Sequence, residues 1–223
     1  MAPLDIRHHP ADELLLQHAA GTLSTGQRLV MATHLELCPA CRAQVTALRA
    51  IGGALLDDEP AAAMRGDALA RTLARIDALE AAPAATAVVK HTAPPPMPAG
   101  ATWPRALADC TATRWRWIGP GMRWCRVTLP HDPAANVFLL RIGAGKYLPQ
   151  HTHRGTEMTQ LLYGRFHDGR ALFGPGDFDI ADAEVHHQPV VQEGSECICI
   201  ASVDGQLAFD GLIARWLGGL VGM

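Results

Sequence analysis

A histidine and two cysteines lie close together in the sequence His34-Leu-Glu-Leu-Cys38-Pro-Ala-Cys41. If residues 25–37 are helical, the side chains of His34 and Cys38 leave the same face of the helix, one turn apart. Pro39 suits the first turn of a following helix, so Cys41 is expected to lie close to Cys38. One imidazole and two thiolates can occupy three corners of a tetrahedral zinc site. The spacing predicts zinc, and a reducible CxxC pair or two helix-capping cysteines are the alternatives.

The fourth ligand of such a site must come from outside this motif. The N-terminal segment offers two adjacent histidines, His8 and His9. Either imidazole could close the tetrahedron, and the spacing alone leaves the choice between them open.

A second group of metal-binding residue types lies in His151-Thr-His153-Arg-Gly-Thr-Glu157. On a strand, His151 and His153 project from one face, because side chains alternate. The short Arg-Gly-Thr segment is expected to turn the chain, so that Glu157 returns on the next strand. Either His186 or His187 would complete a set of three histidines and one carboxylate, since only one of two adjacent residues can face inward. Histidines that merely line a barrel opening are the alternative.

Four helices are expected to carry the first motif. The first covers residues 11–21 and ends at a glycine. The second begins after Ser24, because Ser24 and Gln27 have the spacing of a capping box. The third runs from Pro39 to about Leu56, and the fourth covers residues 67–80. The fourth has a narrow apolar stripe that would either pack on the other helices or bind a partner.

A Pro- and Ala-rich stretch separates these helices from a region of different pattern. Residues 82–101 have the composition of an extended, semi-rigid linker. After it, short apolar runs alternate with turn residues, which predicts an antiparallel sandwich or barrel. The sequence therefore predicts an α+β chain of two separate domains, a four-helix zinc module over residues 1–81 and an all-β domain over residues 102–223. Residues 212–220 are expected to form a short amphipathic helix or docking segment.

Composition and charge exclude several classes of protein. The chain contains no run of eighteen apolar residues and does not begin like a signal peptide, so we expect a cytoplasmic protein without membrane contact. Six cysteines are too few and too unevenly spaced for a secreted disulfide scaffold. Residues 1–81 contain ten acidic and seven basic residues, and the remainder contains twelve of each. Neither part has the basic surface of a nucleic-acid-binding protein, which disfavours a zinc-finger transcription factor.

The second group of ligands resembles the first motif of the cupin family. Gly145, His151, His153, Glu157 and Gly164 have the spacing of that motif. The second cupin motif is looser here, with Gly169 and Pro175-Gly176 in place and a histidine that comes late. The resemblance implies a small jelly-roll barrel with a metal inside. It also implies that one late histidine, predicted to be His187 rather than His186, is the fourth ligand.

Taken as a whole, the chain resembles the ChrR-type zinc-binding anti-sigma factors, which join a zinc-binding helical domain to a cupin-like domain. That family's N-terminal signature falls on His9, His34, Cys38 and Cys41. Its cupin ligands fall on His151, His153, Glu157 and His187. Cys197 and Cys199 stand where the family also has a Cys-x-Cys pair; a redox-active pair is one interpretation, and small buried residues in a barrel strand are the commoner case.

The resemblance implies an inhibitor of transcription initiation and not an enzyme. The first domain would sequester an extracytoplasmic-function-type sigma factor, and its zinc would be structural. The cupin, with a second zinc or another divalent metal, would be needed for release under an oxidative stimulus such as singlet oxygen or an organic peroxide. A metal-dependent cupin dioxygenase or isomerase with an accessory zinc module is the competing hypothesis, because the same ligand set also serves catalysis.

Overall fold

The computed structural model describes residues 4–81 and 94–209, and for residues 79–81, 153 and 206–209 it describes the backbone only. We refer to residues 4–81 as the helical part and to residues 94–209 as the β part. The helical part contains four helices, as predicted: α1 (Asp12–Ala20), α2 (Thr25–Leu37), α3 (Pro39–Asp57) and α4 (Ala68–Ala81).

Local sequence signals set the helix ends. The Ser24 hydroxyl accepts a hydrogen bond from the backbone N–H of Gln27, and the Gln27 side chain accepts one from the backbone N–H of Ser24. This reciprocal pair is the capping box expected at the start of α2. Gly21 ends α1 with φ of 74°, a left-handed conformation that glycine adopts without steric cost. Pro39 occupies the first turn of α3, as expected.

The β part forms two antiparallel sheets. Its strands are β1 (Thr111–Ala112), β2 (Arg116–Gly119), β3 (Met122–Leu129), β4 (Asp132–Ile142), β5 (His151–Tyr163), β6 (Phe166–His167), β7 (Leu172–Phe173), β8 (Phe178–Ala181), β9 (Val190–Val191) and β10 (Cys197–Phe209). The larger sheet has the order β1-β3-β4-β10-β5-β8, with β2 paired to β3, and the smaller sheet has the order β7-β6-β9. A single-turn 3-10 helix, Arg105–Leu107, precedes them.

The two faces of the larger sheet have different partners. On the inner face, Cys197 and Cys199 of β10 belong to a buried cluster with Phe166, Phe173 and Val191 of the smaller sheet. That cluster is the interior of the predicted barrel. On the outer face, residues of β10 such as Ile198 and Ile200 pack in one hydrophobic cluster with Val30 and Met31 of α2.

The helical part and the β part are therefore packed against each other. Gly26 of α2 comes so close to β10 that a Cβ atom built on it would lie 2.4 Å from the Ser202 hydroxyl oxygen. Of the predicted linker, residues 82–93 lie outside the described residues. Residues 94–101 have no helix or strand, and the Pro96 carbonyl accepts a hydrogen bond of 2.9 Å from the indole of Trp115.

One local prediction is wrong. The turn expected between His153 and Glu157 does not form, because β5 continues without a break from His151 to Tyr163. Gly155 remains in the strand with φ of 139° and is paired with Gly205 of β10. The glycine at this position allows a close approach of two strands and does not end one.

The predicted segment 212–220 lies outside the described residues. Within the part of the chain that the structure describes, no helix combines the length and apolar character needed to span a membrane.

Candidate metal centres

The first cluster lies where α2 meets α3. Ligand atoms of His9, His34, Cys38 and Cys41 all lie within 4.8 Å of one another. Nε2 of His34 is 3.3 Å from Sγ of Cys41, and Nδ1 of His9 is 3.4 Å from each of the two sulfur atoms. The last turn of α2 supplies His34, the corner between the helices supplies Cys38, and the first turn of α3 supplies Cys41.

The structure distinguishes the two N-terminal histidines. The ring of His9 joins the cluster, whereas the ring of His8 contacts the Phe173 ring in a tilted arrangement, at a centroid distance of 4.5 Å. Adjacent residues on an extended segment point to opposite sides, so only one of the pair can reach the cysteines.

His34, Cys38 and Cys41 are buried, and burial disfavours the charged forms of Cys41 and His34. It raises the pKa of Cys41 to about 12, with a further contribution from the neighbouring Cys38, and it lowers the pKa of His34. A bound divalent cation would reverse the preference at Cys41 by stabilising its thiolate, and the neutral imidazole favoured at His34 is already the form that binds a metal. Two sulfur and two imidazole nitrogen donors form the set that tetrahedral zinc prefers. The four residues therefore fit a zinc ion.

The second cluster lies in the barrel, where ligand atoms of His151, Glu157 and His187 are within 4.8 Å of one another. The backbones of His151 and His187 exchange two hydrogen bonds of 3.2 Å, and their Nε2 atoms are 3.0 Å apart. His187 is buried and His186 is exposed, so His187 is the histidine that faces inward. The backbone of His153 belongs to β5, and its side chain lies outside the described residues.

Glu157 is half-buried, and burial raises the pKa of its carboxyl group. Its Oε1 accepts a hydrogen bond of 3.0 Å from the hydroxyl of Thr159. A carboxylate close to two imidazoles in the barrel offers the O and N donors that many divalent metals accept. These residues therefore fit a divalent metal as well.

The cavity at this second cluster is small, about 40 Å³, and both Cys197 and Cys199 line it. Burial raises the pKa of Cys199 to about 12, with the charge of Glu157 as the next cause, so this thiol is a poor nucleophile at neutral pH. Small-molecule sites usually occupy at least about 300 Å³. The cavity has room for an ion.

Comparison with known proteins identifies the family of this chain. The sequence profile of the family described as "ChrR Cupin-like domain" matches residues 104–207. The anti-sigma-E factor ChrR of Cereibacter sphaeroides is 41% identical over 212 residues, which cover 95% of this chain and 96% of that protein. This chain belongs to the ChrR family of anti-sigma factors.

A solved structure agrees with this assignment. The chain superposes with a TM-score of 0.67 and 40% identity on a crystal structure of Rhodobacter sphaeroides SigE in complex with the anti-sigma ChrR, covering 89% of this chain and 99% of that one. The predicted fold, helices followed by a cupin, is confirmed. ChrR-family membership also makes the chain a regulator and not an enzyme, as predicted.

In this ChrR-family chain, sequence reasoning missed the charged residues behind the cupin cluster. Asp168 is buried, and its Oδ2 lies 3.6 Å from Nδ1 of His187. Nε of Arg170 donates to the same oxygen at 2.6 Å, and the guanidinium also binds Asp179. Burial opposes the ionisation of Asp168, but the nearby His187 and hydrogen bonds from the backbone N–H groups of Ala171 and Arg170 and from the Arg170 side chain hold its pKa below the ordinary value.

This arrangement orients His187. The Asp168 carboxylate, 3.6 Å from Nδ1, favours the ring orientation in which Nε2 faces the centre of the cluster, as carboxylates near the histidine ligands of metals commonly do. Arg170 in turn holds the Asp168 carboxylate, and Asp179 binds the same guanidinium. The sequence gives no signal for this role, because the three residues have no ligand spacing relative to His187.

Proposed function

We propose that this chain sequesters an extracytoplasmic-function-type sigma factor through its helical part and releases it on an oxidative signal that requires the cupin. In this proposal His9, His34, Cys38 and Cys41 hold a structural zinc, and His151, His153, Glu157 and His187 hold a second zinc or another divalent metal. Because a sigma factor acts on RNA polymerase, the proposal also places the protein in the cytoplasm, without direct contact to nucleic acid.

The observation that carries the proposal is an exposed apolar stripe on α4. Leu69 is 72% exposed, Leu73 is 51% exposed and Ile76 is 47% exposed. The end of α3 adds exposed apolar side chains at Ile51, Leu55 and Leu56. Exposed apolar side chains grouped along one helix face in this way mark a binding site for a partner. Of the two alternatives left open for this stripe, an unfilled docking surface fits the exposure better than packing on the other helices.

The charge of the helical part favours a basic partner. Residues 1–81 carry a net charge of −3, whereas the rest of the chain is neutral. An acidic surface with an apolar stripe is complementary to a basic, helical partner. The crystal structure of the ChrR relative in complex with SigE supports the same partner class.

The direct test is co-purification of the full chain with a sigma factor encoded nearby, followed by size-exclusion chromatography and zinc analysis. A stoichiometric complex that contains zinc is the expected result. A folded, zinc-loaded chain that forms no complex would contradict the proposal.

The stripe gives a sharper prediction. Replacing both Leu73 and Ile76 by Asp should weaken sigma binding at least about a hundredfold, because buried apolar anchors contribute about 2 kcal/mol or more each. Zinc content should not change, since α4 supplies no ligand. Replacing both Ala74 and Ala78 by Asp introduces the same charge on another face of α4 and is the matched control. Affinity measured by isothermal titration calorimetry that is equal for this control and the variant of Leu73 and Ile76 would exclude the stripe as the docking surface.

The role of the cupin predicts a separation of binding from release. His151→Ala should remove the metal of the barrel and abolish release by singlet oxygen or an organic peroxide, while leaving sigma affinity within about twofold of wild type, because the stripe is untouched. His131→Ala, in the exposed turn between β3 and β4, is the control. The readout is dissociation of the purified complex under the oxidant. Normal release from the His151 variant would exclude the cupin metal as part of the response.

A further inference from the structure

The second ring nitrogen of His34 is bound by the β part. Nδ1 of His34 lies 2.9 Å from Oε1 of Gln160 and 3.1 Å from the backbone carbonyl oxygen of Gly176. A carbonyl oxygen can only accept, so Nδ1 carries the hydrogen and donates it. Nε2 therefore presents a lone pair, and this is the atom that faces Cys41. The two acceptors select the tautomer that can bind a metal through Nε2.

Gln160 is itself held in place. Its side chain is fully buried, and its amide Nε2 donates to the backbone carbonyl of Leu161 at 3.1 Å. The amide group can therefore not turn its oxygen away from His34 without losing this bond. Gln160 lies on β5 three residues after Glu157, on the outer face of the sheet, whereas Glu157 lies on the inner face with the cupin cluster.

The same junction also holds the segment that carries His9. Oδ1 of Asp177 accepts hydrogen bonds from the backbone N–H groups of Arg7 at 2.7 Å and His8 at 2.9 Å. The backbone N–H of Phe178 donates to the carbonyl of His8 at 3.0 Å. The β part thus positions two of the four proposed zinc ligands: it binds the ring of His34 directly and the backbone next to His9.

We infer that Gln160 is a positioning residue for the N-terminal metal site, so that the β part sets the zinc affinity of the helical part. The inference rests on the zinc site proposed above. Strand β5 connects the two sites, because it carries His151 and Glu157 toward the barrel interior and Gln160 toward His34. A displacement of β5 at the cupin site changes the hydrogen bond that fixes the zinc-binding tautomer.

The test compares Gln160→Leu with Ser202→Ala in the full chain. Both positions are buried on the outer face of the sheet, but Ser202 faces Gly26 and not the metal site. Both are measured in a His151→Ala background, so that competition with a chromophoric chelator reports the N-terminal site. Gln160→Leu should weaken zinc binding about 10- to 100-fold, the usual cost of losing the hydrogen-bond partner of a ligating histidine. Ser202→Ala should stay within about twofold of the background.

Cobalt separates positioning from general destabilisation. With cobalt in place of zinc, Gln160→Leu should keep the thiolate-to-metal charge-transfer absorption of two cysteines but shift the ligand-field bands, because only the histidine is misoriented. Ser202→Ala should shift neither. Equal zinc affinity and equal cobalt spectra for the two variants would overturn the role of Gln160.

A measurement on the unsubstituted, zinc-loaded chain does not depend on the variants folding. Nitrogen-15 spectra of the histidine rings should show His34 protonated at Nδ1 and bound to zinc through Nε2. Binding through Nδ1 would overturn the inference and leave the zinc site standing. A chain whose N-terminal cluster takes up no zinc would overturn the zinc site itself, and the inference with it.

Discussion

Cys38→Ser is expected to empty the N-terminal metal site and to unfold most of the helical part. A serine hydroxyl does not ionise at neutral pH and is a poor zinc ligand, so three donors remain. Structural zinc contributes roughly 10–16 kcal/mol of apparent binding free energy in small zinc domains, which is folding free energy for the elements it joins. Here it joins α2, α3 and the N-terminal segment, and the same loss is expected for Cys41→Ser.

The loss of folded structure should be uneven along the chain. Val30 and Met31 anchor α2 on the outer face of the sheet, independently of the metal. In α3 only Cys41 and Val45 are buried. Hydrogen exchange should therefore show loss of protection in α1 and α3 first, with α2 and the β part retained longer.

Metal analysis and hydrogen exchange of the sigma-free protein provide the measurement, and Cys110→Ser provides the control. Cys110 is half-buried and takes no part in either cluster. Its substitution should leave the N-terminal zinc in place. A Cys38 variant that still holds zinc in residues 1–81 and still binds its partner would show that the ligand assignment is wrong.

Local signals made much of the helical part predictable. The capping box at Ser24, the glycine after α1 and Pro39 at the start of α3 each act within a few residues, so the sequence contains the whole interaction. For the same reason the spacing of His34, Cys38 and Cys41 was sufficient to predict that these side chains meet.

The choice between adjacent histidines needed the three-dimensional structure. A shift of one residue in register exchanges the inner and outer faces of an extended segment, and residues alone do not fix that register. Family resemblance favoured His9 and His187, and the structure places these two rings in the clusters. Gln160 was not predictable, because it meets His34 across 126 residues of chain and has no ligand chemistry of its own.

The incorrect prediction of a turn between His153 and Glu157 has a specific cause. Glycine favours turns, and Arg-Gly-Thr between two ligand groups has the composition of a short connection. A glycine in a strand can instead mark the close approach of a neighbouring backbone. Gly155 marks such a close approach, and replacing it should therefore have a large effect on stability.

Gly155→Ala is expected to destabilise the barrel by on the order of 4 kcal/mol, the combined cost of a forbidden backbone conformation and a steric overlap. Its φ of 139° is rarely adopted by residues with a side chain. A Cβ atom at this position would lie 1.8 Å from the backbone oxygen of Asp204, so β5 and β10 must separate. Because Gly155 lies between His151 and Glu157, the variant should also lose metal from the barrel.

Gly169→Ala isolates the steric contribution. Gly169 also has a positive φ, 94°, but a Cβ atom there would have no neighbour within 4 Å. This control should therefore cost only about 1 kcal/mol of backbone strain. Thermal unfolding and metal content of the two variants give the comparison. If Gly155→Ala is no more destabilising than Gly169→Ala, β5 and β10 do not approach each other at Gly155, and the continuous strand that carries His151, Glu157 and Gln160 is excluded.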